Sequence, residues 1–117
     1  MQFPIILKGY AIFNPATGLW SKGGFKGWSN NPKIWSAIGH LKNHLLLSVY
    51  YQYPDRWNGM EKNRFFISNK YRGCQVIDVT TGNPLDNFDI YAYYHDYIAR
   101  EKAARKFYEN YDTYEEP

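Results

Sequence analysis

Pro15, Gly18, Gly23, Gly24, Gly27 and Pro32 fall so close together that no single regular element can run from Tyr10 to Leu47. This punctuation divides the stretch into a hairpin, a loop and a helix. Ile5 to Phe13 is β-branched and aromatic with partial alternation, which suits a strand bent at Gly9. Asn14-Pro15-Ala16-Thr17-Gly18 supplies a turn, with proline to fix φ and glycine to accept a positive one. Leu19 to Ser21 resumes as the partner strand. Lys22 to Pro32, KGGFKGWSNNP, reads as a loop, with room for a short strand at Lys33 to Trp35. Ser36 is placed to cap a helix from Ala37 to about Leu47, in which Ile38, Leu41 and Leu45 share one face. His40 and His44 lie one helical turn apart on a neighbouring face. Gly39 weakens this helix by about 1 kcal/mol relative to alanine.

Later segments are less sharply marked. Pro54, Asp55, Asn58 and Gly59 predict a loop anchored by Tyr53 and Trp57, and Arg64 to Ser68 predicts a strand. Cys74 to Thr80 alternates best, with Gln75, Ile77 and Val79 on one face and Cys74, Val76 and Asp78 on the other. Its ending, Thr80-Thr81-Gly82, echoes Ala16-Thr17-Gly18, a coincidence that a common hairpin solution explains without duplication. Asp86 or Asn87 is placed to cap a last helix running to about Tyr111, with Ile90, Tyr94, Tyr97, Ile98, Ala104, Tyr108 and Tyr111 in a stripe. Residues 112–117 should fray.

The expected fold is therefore α+β. A small antiparallel sheet, the N-terminal hairpin plus one or two later strands, packs with two helices, the second long and C-terminal. At 117 residues the chain suits one domain, a body over 1–85 followed by a helix over 87–111 and the frayed tail. Through Leu85 there are ten Lys and Arg against three Asp and Glu, a net of +7; beyond it, four against eight, a net of −4. A basic body attracts phosphate or an acidic protein surface. The lone Cys74 forms no internal disulfide, so a reducing cytoplasm is the expected compartment. The opening MQFPIILKGYAIF reads as a strand and not as a signal peptide, and no apolar run is long enough to span a membrane.

Motifs that would carry chemistry are sparse. A zinc site needs three or four ligands; beyond the His40–His44 pair only Cys74 and His95 remain, each alone in its neighbourhood. No metal, cofactor or catalytic residue is expected on these grounds, and the bland reading packs one histidine and exposes the other. Cys74 lacks a nucleophile turn and reads as a small strand hydrophobe. The glycines at 18, 23, 24 and 27 have neither the Lys-Ser or Lys-Thr pair of a P-loop nor dinucleotide spacing, and read as turn residues. What stands out is an interleaving of Lys22, Phe25, Lys26, Trp28 and Lys33, followed by Lys42, His40 and His44 on the helix. Aromatic rings and lysines together suit unpaired bases or a protein contact anchored by tryptophan. Against both stands the reading in which Trp20 and Trp35 fill the core and the lysines are merely solvated.

The segment GLWSKGGFKGWSNNPKIWSAIGHLKNHL resembles one found in small accessory proteins of tailed bacteriophages. Those proteins share a turn ending Thr-Gly-Leu, a Ser-x-Gly-Gly loop, a Trp, a Lys-x-Trp step and a helix ending Leu-Lys-Asn-His-Leu. The matching positions are Thr17, Gly18, Leu19, Ser21, Gly23, Gly24, Trp28, Lys33, Trp35, Leu41, Lys42, Asn43, His44 and Leu45. The resemblance implies a phage gene product acting in the cytoplasm of its bacterial host, and it implies no chemistry. By analogy with such proteins the expected role is non-enzymatic: binding a host protein to inhibit or redirect it, in host takeover or anti-defence. RNA or single-stranded nucleic acid is the alternative partner. A small nuclease-like enzyme using His40 or His44 as a base is a third reading.

Overall fold

The first hairpin is closed by the side chains of its own turn. In the computed structural model, which describes residues 8–24, 26–52, 63–104 and 111–115, the Ala16 N–H donates to Asn14 Oδ1 at 3.0 Å and the Leu19 N–H to Thr17 Oγ1 at 3.3 Å. Gly18 takes φ 73° and donates its N–H to the Asn14 carbonyl. Strand β1 (Tyr10–Asn14) thereby pairs antiparallel with β2 (Leu19–Ser21), Phe13 opposite Trp20. Strand β3 is only Trp28–Ser29, inside the segment expected to be irregular, and pairs with β2. The strand considered at Lys33 to Trp35 reduces to a bridge between Trp35 and Tyr10.

The same turn is built a second time. Asp78 Oδ1 accepts from the Thr80 N–H at 2.9 Å, Thr81 Oγ1 from the Asn83 N–H at 3.2 Å, and Gly82 takes φ 74°. It joins β6 (Gln75–Asp78) to β7 (Asn83–Pro84). An Asx-x-x-Thr-Gly sequence produces this geometry locally. Because β1 pairs antiparallel with β6, and Ile12 lies opposite Val76, its equivalent in the second hairpin, the two hairpins are related by an approximate two-fold axis through that pair. The resulting sheet has the order β3-β2-β1-β6-β7 and is antiparallel throughout.

Strands β4 (Val49–Gln52) and β5 (Asn63–Ile67) pair antiparallel in a second sheet, so the strand expected near Arg64 does not join the first. Strand β8 (Tyr111–Glu115) runs parallel to β5 on its other side. The tail expected to fray is therefore a strand over those residues, and Tyr111 is in it and not in the last helix. Long-range pairing has overridden a locally helix-like or disordered composition.

Helix α1 (Ile38–Leu45) starts one residue later than expected. Ala37, extended at φ −128° and ψ 139°, occupies the cap position with no side-chain bond, which leaves Ser36 one residue too early to cap it. A single 3-10 turn, Leu46–Ser48, carries the chain into β4. Leu41 and Leu45 are fully buried, with Ile38 packed beside them. Helix α2 (Ile90–Ala104) is capped by Asp89, whose Oδ1 accepts the Ala92 N–H at 2.7 Å, and not by Asp86 or Asn87. Asn87 instead turns the chain at φ 57°. The buried stripe of α2 is Ile90, Tyr94 and Ile98; Ala104 is exposed and Tyr108 lies outside the described residues. So do Phe25, the start of the Ile5 strand and the Tyr53–Gly59 loop.

One core joins these elements: Ile12 and Val76 from the first sheet, Phe65 and Ile67 from the second, Leu41 and Leu45 from α1, Ile90, Tyr94 and Ile98 from α2, with Trp35 and Tyr71 between them. The fold is α+β, a small antiparallel sheet with two helices, the longer one later in the chain. No helix among the described residues is long and apolar enough to cross a membrane. Gly39 faces open space at its missing Cβ and has no positive φ. Gly39→Ala is therefore expected to stabilise the protein by about 0.5–1 kcal/mol in urea unfolding.

Candidate functional site

Tyr71 ends a 3-10 turn (Asn69–Tyr71) that Ser68 caps by accepting the Lys70 N–H. This short segment brings the Tyr71 hydroxyl, 1% exposed as a residue, between strand β2 and helix α1. The Tyr71 oxygen lies 2.9 Å from Ser21 Oγ and 2.6 Å from His44 Nε2, and the Gly23 N–H donates to Ser21 Oγ at 3.1 Å. Burial, then the nearby Lys70 and Lys33 ammoniums, hold the His44 pKa below its ordinary value, so the ring is neutral at neutral pH. Burial raises the Tyr71 phenol, against the bond from Ser21, so it too is neutral.

These charges orient the chain of bonds. The Gly23 N–H can only donate, so Ser21 Oγ accepts from it. Ser21 is fully buried, and among the described residues its own proton has an acceptor only if it is given to Tyr71. Tyr71 then donates to His44 Nε2, which assigns the neutral ring its proton on Nδ1. Every hydroxyl proton in the series is used.

Aromatic rings enclose this polar centre. The Trp35 and His44 rings are 5.0 Å apart and tilted by 31°, and Trp28 meets Tyr71 edge-on at 5.9 Å. Lys33 lies over Trp35 at 5.9 Å and Lys70 over Tyr71 at 5.3 Å. Lys70 Nζ also donates to the Gly24 carbonyl at 2.8 Å, tying the glycine loop to the 3-10 turn. The loop itself is shaped by its glycines. Gly23 sits at φ 76° with Trp35 against it, so a Cβ there would press on the ring at 3.3 Å. Beside this assembly opens a cleft of about 60 Å³, lined among others by Gly24, His44, Leu47, Tyr50, Lys70 and Tyr71. Leu47, 59% exposed, and Tyr50, 48% exposed, stand out as large apolar side chains open to solvent at its rim.

The structure thus sorts the residues singled out in the sequence. Lys22, Lys26 and Lys33 are exposed, as is His40, while Trp28 and His44 are half-buried. Trp35 belongs to the core; Trp20 is half-buried against Phe13, ring centroids 4.7 Å apart. Lys42 is separated from the others: it points to the α2 end of the molecule, over Phe88 at 5.3 Å and Tyr93 at 5.7 Å. Among the described residues, Lys22, Lys26, Lys33 and Lys70 make no ion pair. Lys70, Tyr71, Leu47 and Tyr50 were not singled out in the sequence. The only local sign was Ser68 followed by a glycine at 73, the cap and stop of a short turn.

Other chemistry is poorly provided for. Among the described residues no three His, Cys, Asp or Glu side chains converge as metal ligands. Burial pushes the Cys74 thiol up to about 11, leaving it protonated at neutral pH. It lines a shallow trough of about 450 Å³ with Arg72 and Asp89, but Asp89 is engaged as the α2 cap and Arg72 lies over the Tyr91 ring at 5.0 Å. The chain matches no protein-family model, no curated protein and no solved structure.

Proposed function

We propose that the protein is a non-enzymatic binding module, of phage origin as its resemblance implies, that docks on an acidic surface of a host bacterial protein and inhibits or redirects it in the host cytoplasm. The observation that carries this reading is a cleft bordered by Lys70 and by exposed Leu47 and Tyr50, whose Gly24 wall belongs to the loop that carries exposed Lys22 and Lys26 and leads to exposed Lys33, none of the four lysines ion-paired among the described residues. Unpaired cations beside an apolar rim suit a protein surface that offers carboxylates around a hydrophobic contact. The Ser21, Tyr71 and His44 groups support binding over catalysis, because the serine is closed to solvent and its hydroxyl is consumed internally. Their role is to hold loop, helix and 3-10 turn in one arrangement, so that the backbone carrying the lysines needs less ordering at docking.

Exposed lysines also suit phosphate, and that favours the second reading, binding of RNA or single-stranded nucleic acid. One ring argues against it: Trp35 lies in the core, closed to a stacking base, and Trp28 is half-buried. Titration with mixed-sequence oligonucleotides at low salt, followed by tryptophan emission, is expected to show no saturable binding. Saturable binding that weakens steeply with salt would replace the first reading with the second.

A further inference from the structure

Lys70 is the one cation at the site that is drawn inward. Its residue is half-buried, its ammonium bonds a neutral carbonyl at Gly24 and rests on the Tyr71 face, and no carboxylate among the described residues answers it. An ammonium has three donors, and a partly desolvated one bonded only to a dipole gains from any anion that reaches it. Desolvation lowers the Lys70 pKa, the same imbalance seen from the proton's side. The ammonium borders a small cleft of about 60 Å³. A planar carboxylate with two oxygens presents less bulk to so small an opening than a phosphodiester with four oxygens and two sugar esters. At the rim, Leu47 and Tyr50 offer apolar surface to an aliphatic stem.

We infer that this cleft is the socket for one Asp or Glu side chain of the protein partner, with the Lys70 ammonium as counter-charge and Leu47 and Tyr50 against the methylenes. The inference rests on the docking reading above and gives it a specific anchor. Lys22, Lys26 and Lys33 then contribute long-range attraction, while Lys70 contributes the close contact.

The test is an NMR titration of isotopically labelled full-length protein with a short glutamate-rich peptide, and separately with inorganic phosphate. The peptide is expected to shift the side-chain resonances of His44 and Lys70 saturably. Lys70→Gln should weaken this at least about tenfold and Lys70→Arg should largely restore it, while Lys26→Gln should weaken it only about twofold. Amide spectra confirm that each variant is folded. If Lys70→Gln binds the peptide as wild type does while Lys26→Gln or Lys33→Gln loses it, the socket is wrong and the docking reading survives. If phosphate saturates the same resonances and the peptide does not, the socket is wrong and the nucleic-acid reading gains. If neither probe binds, the socket and its acidic-surface premise fall together.

Discussion

Tyr71→Phe should lower the free energy of unfolding by about 2–3 kcal/mol, although it removes a single oxygen. Without that oxygen the fully buried Ser21 hydroxyl loses its acceptor and His44 Nε2 loses its donor. Each stranded group costs on the order of 1–3 kcal/mol, less where water can reach it, as at half-buried His44. Urea unfolding of the two proteins measures the difference; a change below about 0.5 kcal/mol would mean that the three side chains are not coupled as described. The same centre makes stability fall with acid. His44 has a folded-state pKa below its ordinary 6.5, so below pH 6.5 the unfolded chain takes up a proton that the folded one resists. Stability is therefore full above about pH 6.5 and declines as pH drops toward the folded value, and His44→Gln should flatten that decline.

Gly9→Ala should be at least as damaging, by about 3 kcal/mol or more. A Cβ at Gly9 would lie 2.6 Å from the Trp35 carbonyl oxygen and 2.6 Å from Ile34 Cγ2, and the residue holds φ 151°. The oxygen is backbone and cannot rotate away. It accepts the Tyr10 N–H at 2.8 Å, and the Trp35 N–H returns the bond to Tyr10 at 2.9 Å. Relief would require parting these two bonds and moving Trp35 out of the core, so overpacking and backbone strain add. Equilibrium unfolding gives the magnitude, and loss of the Trp35–His44 ring contact should appear as changed tryptophan emission. An alanine variant of wild-type stability would contradict the close approach of β1 to Trp35.

What could be read from the chain was what its neighbours decide. Asn14, Thr17 and Gly18 make their turn from their own side chains, and Leu41 and Leu45 follow the helical period into the core. The lysine loop was visible for the same reason, as a run of glycines with no regular element to serve. The polar centre was not, because Tyr71 reaches Ser21 across fifty positions and His44 across twenty-seven, and nothing local marks either bond. The histidine pair was legible as a pair; which ring turns inward is decided by Trp35 and Tyr71, which approach His44 only in the fold. The parallel pairing of β8 with β5 is likewise a non-local event, which composition alone reads as a fraying tail. Lys42 belonged to the basic stretch in sequence and leaves it in space, since its position on α1 carries it toward Phe88 and Tyr93.

The lysine loop is tied to the body at two neighbouring points: Lys70 bonds the Gly24 carbonyl, and Ser21 accepts the Gly23 N–H. The measurement that bears most directly on its role is capture from bacterial lysate on immobilised protein, with and without nuclease, beside a variant carrying Lys22→Glu, Lys26→Glu and Lys33→Glu. A protein is expected to stay bound after nuclease treatment and to be lost with the triple variant, whose fold should be unchanged because all three side chains are exposed. Capture that disappears on nuclease treatment, or that survives the three charge reversals, would contradict docking through this face.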